Sequence, residues 1–153
     1  MKKFAIAATM LLACTSFPLA QHAGHTLVQA DALKWGLAPP AFPGAHAAVL
    51  AGNPAKEGPF VFRLKFPAGY KVAPHTHPID ENVTVMSGVV HMGTVEKEDV
   101  SKELLMKAGD YVLVPKGSVH YVRMPQETVM QVHGNGPSGI NFVNPADDPR
   151  TKK

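Results

Sequence analysis

Apolar and polar residues alternate along residues 60–66, the clearest case of a pattern that recurs along the chain. The even-numbered positions of this segment carry Phe or Leu, whereas two of the odd-numbered positions carry Arg63 and Lys65. Successive side chains of a β-strand point to opposite faces, so a period of two is typical of a strand with one buried face. The segment therefore predicts a half-buried β-strand.

Further short apolar segments follow, and each is bounded by Gly, Pro or Asn. They are "NVTVMSG", "VVHMGT", "DYVLVP", "VHYVRM", "ETVMQVHG" and "GINFV". Regularly spaced short strands separated by turn residues are typical of a β-sandwich or barrel. The charged segment "VEKEDVSKE" lies between two of these segments and is expected to form a solvated hairpin loop. The pattern as a whole predicts an all-β fold.

The length and composition of the chain fit one domain of this class. The chain has 153 residues, of which 45% are hydrophobic and 18% charged, enough to bury a single core. We divide it into a signal peptide at residues 1–20, a short N-terminal arm with peripheral strands at 21–59, a barrel at 60–145 and a C-terminal tail at 146–153.

The first twenty residues match the pattern of a secretory signal peptide. Two lysines open the chain, and an apolar segment of about ten residues follows, about half of what a membrane-spanning helix needs. Cleavage near Gln21 would release a protein without a transmembrane segment, exported to the periplasm. Alternatively, "LLAC" resembles the lipobox of bacterial lipoproteins, in which Cys14 would carry a lipid anchor. Cys14 is the only cysteine, so no disulfide is expected.

The positive charge of the chain does not indicate a nucleic-acid partner. The formal net charge is +3, but basic residues cluster at the two ends of the chain, at Lys2 and Lys3 and again at Arg150, Lys152 and Lys153. Nucleic-acid binding needs a basic patch or stripe on the folded protein. We therefore expect no nucleic-acid partner.

Candidate metal ligands lie close together in "PHTHPIDE". His75 and His77 are two residues apart and would project side by side from an extended strand. Glu81 continues the same face if the chain stays extended or turns tightly through Pro78. Imidazole and carboxylate ligands suit divalent metals such as Fe, Mn, Zn, Ni or Co. A fourth ligand is expected from another part of the chain.

His120 is the candidate for that fourth ligand. In "GDYVLVPKGSVHYVRM" a strand ends at Pro115, the chain turns through Lys116 and Gly117, and His120 begins the next strand.

The spacing of these residues resembles the two signature motifs of the cupins, over residues 60 to about 135. The first motif reads Gly69, five residues, His75, one, His77, three, Glu81, six and Gly88. The second reads Gly109, five residues, Pro115, one, Gly117, two and His120. The second motif usually ends in Asn where this chain has Met124, which removes a polar group without touching the ligand set. The chain is thereby identified as a member of the small bacterial cupins of the RmlC-like superfamily.

The resemblance implies a double-stranded β-helix, also called a jelly-roll barrel, which is often a homodimer. It implies one divalent metal ion, of Fe, Mn, Zn or Ni, held inside the barrel by His75, His77, Glu81 and His120. Cupins include dioxygenases, decarboxylases and isomerases. In these, substrate or O₂ binds at open coordination positions of the metal ion, which then polarises the substrate or activates O₂.

Two functional classes stay open at this point, because a fold does not determine a function. One is a metalloenzyme, and the other is a non-catalytic metal-binding or small-ligand sensor module. A polar pocket rich in His, Gln and Arg would favour the enzyme. A dry pocket lined by Met and Val would favour the binding of an apolar ligand.

Gln131 and His133 share one face of the strand predicted in "ETVMQVHG". Their side chains either reach the pocket, as groups that support the metal ligands or contact substrate, or form an outward, solvated pair. In the first orientation His133 would be an additional acid or base.

Overall fold

The computed structural model describes residues 24–152 and contains two antiparallel β-sheets. The signal peptide and Cys14 lie outside the described residues. Within those residues no helix is long and apolar enough to cross a membrane, and the helical segments are single 3₁₀ turns at Ala30–Ala32, Val100–Lys102, Pro145–Asp147 and Pro149–Thr151.

One sheet has six strands in the order β1-β2-β3-β10-β5-β8. Its strands are β1 (Gly36–Leu37), β2 (His46–Ala51), β3 (Gly58–Phe66), β5 (Glu81–Ser87), β8 (Tyr111–Val114) and β10 (Thr128–Gly136). The other sheet has five strands in the order β11-β4-β9-β6-β7. Its strands are β4 (Tyr70–Thr76), β6 (Val89–Gly93), β7 (Leu104–Lys107), β9 (His120–Met124) and β11 (Asn141–Phe142).

From β3 onward the chain crosses to the other sheet after each strand except β6, which is followed by β7 in the same sheet, and this path is that of a double-stranded β-helix. The all-β jelly-roll predicted from the sequence is confirmed. The arm contributes β1 and β2, which extend the six-stranded sheet beyond β3.

The core lies between the sheets and follows the alternation seen in the sequence. Phe60, Leu64 and Phe66 of β3 are buried, and Phe62 is half-buried. Burying one such side chain stabilises the fold by about 1.5–3 kcal/mol. Met124, which replaces the usual Asn, is fully buried at the end of β9 opposite to His120 and belongs to this core.

The segment "VEKEDVSKE" connects β6 and β7, which pair as a hairpin. The predicted solvated hairpin loop does not extend to the last residue of this segment. The side chain of Glu103 is 2% exposed, because Arg123 Nε donates a 2.8 Å hydrogen bond to Glu103 Oε1 and Arg123 Nη2 donates to Oε2. This paired geometry offsets the cost of burying a carboxylate.

Candidate metal centre

Three histidines from the five-stranded sheet come together inside the barrel. His75 of β4 and His120 of β9 are cross-strand partners, and His77 follows β4 directly. The ring centroids of His75 and His120 lie 4.1 Å apart, and His77 lies 4.9 Å from the first and 5.1 Å from the second. One nitrogen from each ring lies within 4.8 Å of the other two. All three side chains are buried, so this cluster of nitrogens is shielded from bulk water.

A backbone carbonyl fixes the orientation of each of the three rings. Nδ1 of His75 donates to Ala73 O at 2.7 Å, and Nδ1 of His77 donates to Gly139 O at 2.7 Å. Nδ1 of His120 donates to Ser118 O at 3.3 Å. A carbonyl oxygen can only accept, so the proton lies on Nδ1 and leaves the Nε2 lone pair free. Metal-binding histidines are commonly held in this way.

Glu81 approaches the histidines from the opposite sheet. The sequence left two paths open, an extended continuation of the strand or a tight turn through Pro78. In the structure β4 ends at Thr76, and the chain crosses through Pro78 to the other sheet, where β5 begins at Glu81. Glu81 is buried, and its Oε2 lies 3.4 Å from His77 Nε2. Two electron-pair donors at this distance repel unless they share a proton or a cation. Three imidazole nitrogens and one carboxylate oxygen are a donor set that fits a divalent metal ion.

Burial controls the protonation of the site. It lowers the pKa of His75 to about 3, with a smaller contribution from the neighbouring His120. It also lowers the pKa of His120 to about 4, with a smaller contribution from His77. Burial raises the pKa of Glu81, against the opposing effect of His77. His75 and His120 are thus neutral at pH 7, the form that binds metal.

Hydrogen bonds join the turn between β8 and β9 to the connection between β4 and β5, residues 77–80. The turn between β8 and β9 contains Gly117, whose φ of 74° is in the left-handed region that favours glycine. Gly117 N–H donates to His77 O at 2.9 Å, and Lys116 N–H donates to Asp80 Oδ1 at 2.7 Å. These bonds fix the start of β9, and with it His120, against the segment that carries His77.

The site opens onto a small cavity of about 50 Å³ inside the barrel. Apart from the three histidines and Glu81, its walls are Val, Leu, Phe and Met side chains. Met92, Met106 and Met130 are among them, one from each of three strands. Apart from the four candidate ligands, the lining is therefore apolar and rich in Met and Val.

Gln131 and His133 do not reach this cavity. Met130 and Val132 line it, and alternation along β10 directs the intervening Gln131, and His133 after Val132, to the outer face of the sheet. There Gln131 Oε1 accepts a 3.1 Å hydrogen bond from Arg63 Nε. Of the two orientations left open by the sequence, the outward one is found.

Sequence reasoning missed Ser138 and Gly139, which lie between β10 and β11. Ser138 Oγ donates to Glu81 Oε1 at 3.0 Å, and Gly139 supplies the carbonyl that holds His77. In "NGPSGI" these residues are indistinguishable from an ordinary turn, and only tertiary structure brings them to the site.

Comparisons with known proteins agree with this architecture. No curated protein sequence matches the chain significantly. A solved structure of the polyketide cyclase RemF from Streptomyces resistomycificus superposes with a TM-score of 0.67 and 15% identity, over 82% of this chain and 89% of that chain. A putative acetylacetone dioxygenase from Methylibium petroleiphilum superposes with a TM-score of 0.61 and 22% identity, over 86% of this chain and 89% of that one.

A third structure, Rhodobacter sphaeroides SigE in complex with the anti-sigma ChrR, matches with a TM-score of 0.53 and 16% identity, over 70% of this chain and 52% of that chain. Identities this low show a shared fold and no more. The sequence model of the ChrR cupin-like domain matches residues 23–139, well over half of the chain. The protein is therefore a small single-domain cupin and belongs to the ChrR cupin-like domain family.

Proposed function

We propose that the protein binds one divalent metal ion through His75, His77, His120 and Glu81. The observation that carries the proposal is the convergence of three buried imidazoles, each with Nδ1 bound to a carbonyl and Nε2 free. The nearby oxygen of Glu81 supplies the anionic donor. Nitrogen and oxygen donors of this kind suit Fe, Mn, Zn and Ni.

We further propose that a small, uncharged molecule binds beside the metal site. The cavity has room for only a few non-hydrogen atoms, at about 50 Å³. Neither Lys nor Arg is among the residues that line it, so away from the metal ion an anionic ligand would lose its hydration without gaining a cationic partner on the walls. A neutral molecule avoids this cost.

The first candidate function is a metalloenzyme of dioxygenase, isomerase or lyase type. A bound metal ion would supply Lewis acidity or, if redox-active, O₂ chemistry. The chain itself orients the imidazoles through Ala73, Ser118 and Gly139, and its apolar walls exclude water from the site. Relatives in fold include proteins described as a cyclase and a putative dioxygenase, which supports the capacity of such barrels for catalysis.

The second candidate is a non-catalytic metal-binding or small-ligand sensor module. The Met- and Val-rich lining favours it. So does the absence, among the described residues that line the cavity, of any acid or base besides the four candidate ligands.

Turnover separates the two candidates. Metal-loaded protein would be incubated in air with a panel of small uncharged carbonyl compounds, while oxygen uptake and substrate loss are followed. Product formation that disappears in Glu81→Ala supports the enzyme. Saturable binding of the same compounds without product supports the binding module. If the protein shows no binding and no turnover, the assignment of a small uncharged ligand is contradicted.

Export to the periplasm and a homodimeric state are also proposals. Export is supported by the Lys-Lys start and the apolar segment of residues 1–20, and a lipid on Cys14 by the "LLAC" sequence. The homodimer is supported by resemblance to the cupins. Retention of the full chain in the cytoplasm, or a monomeric mass in solution, would contradict these proposals.

A further inference from the structure

The segment of residues 137–140 lies against the candidate metal centre and contacts two of its four proposed ligands. Ser138 Oγ donates to Glu81 Oε1 at 3.0 Å, and Gly139 O accepts from His77 Nδ1 at 2.7 Å. Both contacts come from one short connection between β10 and β11.

The backbone of this segment is anchored independently of the serine hydroxyl. Ser138 N–H donates to Pro54 O at 2.7 Å, and Arg150 Nη2 donates to Ile140 O at 3.2 Å. Among the described hydrogen bonds, Glu81 is the partner of the Ser138 hydroxyl. Removing the hydroxyl should therefore leave the path of the segment intact.

The two oxygens of Glu81 have different surroundings. Oε1 is held by Ser138, whereas Oε2 lies 3.4 Å from His77 Nε2 and faces the histidine cluster. A carboxylate can bind a metal ion through one oxygen or through both, and two-oxygen binding occupies a further coordination position. The hydrogen bond to Oε1 competes with two-oxygen binding.

We propose that Ser138 is a positioning residue that restricts Glu81 to one-oxygen ligation and so keeps a coordination position open for a small molecule. The proposal rests on the metal site proposed above. It assigns to Ser138 control of ligand access rather than of metal retention.

Cobalt substitution tests this role. Full-length protein and Ser138→Ala would be loaded with Co²⁺, and three properties measured: cobalt per chain, the visible absorption spectrum and the affinity for nitric oxide. Nitric oxide is an uncharged two-atom probe that suits the small cavity. We expect Ser138→Ala to retain about one cobalt, to change the absorption spectrum and to bind nitric oxide about tenfold more weakly, the lower end of effects from groups that support metal ligands.

A matched pair of variants isolates the hydroxyl and covers the case in which Ser138→Ala does not fold. Ser138→Thr and Ser138→Val have the same shape, but only Thr can donate to Glu81. Thr should preserve the wild-type spectrum and nitric oxide affinity, and Val should behave as Ala is expected to. Thermal unfolding of each variant reports any general loss of structure.

The outcomes separate the two proposals. Wild-type spectrum and nitric oxide affinity in both Ala and Val would overturn the role of Ser138 while leaving the metal site standing. Loss of cobalt from folded Ala or Val would also overturn it, because Ser138 would then act in metal retention. Failure of the wild-type protein to bind cobalt would instead contradict the proposed metal site itself.

Discussion

Among single residues, burial determines how the candidate site is protonated before any metal arrives. Burial keeps His75 and His120 neutral, and their Nδ1–H groups donate hydrogen bonds to Ala73 O and Ser118 O. Burial raises the pKa of the Glu81 carboxyl group, which likewise favours its neutral form. The site thus resists acquiring positive charge and has its nitrogen lone pairs available.

This arrangement predicts that metal-free protein loses stability in mild acid. The pKa values of His75 and His120 fall from the ordinary 6.5 to about 3 and about 4, so below pH 6.5 the unfolded chain binds more protons than the folded protein. The free energy of unfolding should fall as the pH drops from 6.5 toward 4, by at most about 1.4 kcal/mol per pH unit for each histidine. Denaturant unfolding of metal-free protein at several pH values measures this slope.

Glu81 acts in the opposite direction in this pH range, because a raised carboxyl pKa lowers stability as the pH rises above its ordinary 4.5. Glu81→Gln should therefore steepen the acid-side loss, and His75→Gln should flatten it. A free energy of unfolding that stays constant from pH 7 to pH 4.5 would contradict the buried, neutral histidines.

Among the elements, the sequence pattern predicted β3 most clearly, because it alternates between buried and more exposed residues. Phe60, Leu64 and Phe66 mark β3 plainly, whereas β7, with the sequence LLMK, was missed because it does not alternate and no Gly, Pro or Asn directly precedes it. Alternation identified the strand carrying Gln131 and His133 but could not say which face lines the barrel. That choice depends on how β10 lies between β3 and β5.

The candidate site could be predicted in part, because its proposed ligands lie in short local motifs. The Pro115–Gly117 turn correctly placed His120 at a strand start, and the two-residue spacing placed His75 with His77. The contacts of Ser138 and Gly139 bridge about sixty residues of sequence and leave no local pattern. Sequence can reveal ligands that share a motif, but not the groups that hold them from a distant loop.

The turn between β8 and β9 offers a test at this scale. Gly117 has a φ of 74°, and a Cβ there would meet open space, so Gly117→Ala adds backbone strain of about 1–2 kcal/mol without a clash. Because Gly117 N–H is bonded to His77 O, the strain should also displace the site and weaken metal binding. Thermal unfolding and metal titration measure the two effects.

Gly109 provides the matched control. It has a φ of 93° and open space around its Cβ position, but its N–H is bonded to Val85 O, away from the histidines. Gly109→Ala should lose comparable stability and keep wild-type metal affinity. Equal metal affinity in the two variants would show that the Gly117 turn does not position the site.

For the whole molecule, the candidate metal centre and the hydrophobic core are parts of one interior. The side chains that line the cavity come from both sheets and also belong largely to the core. A ligand that binds only the folded state shifts unfolding to a higher denaturant concentration or a higher temperature. Metal loading is therefore expected to stabilise the entire barrel.

The central claim is tested most directly by the metal content of protein purified without chelator or nickel resin. Elemental analysis should find close to one equivalent of a divalent metal per chain in the wild type, and almost none in His77→Ala. His133→Ala, which changes a histidine on the outer face, should retain the wild-type content. Absence of metal from the wild type, or equal metal content in His77→Ala and His133→Ala, would contradict the site built from His75, His77, His120 and Glu81.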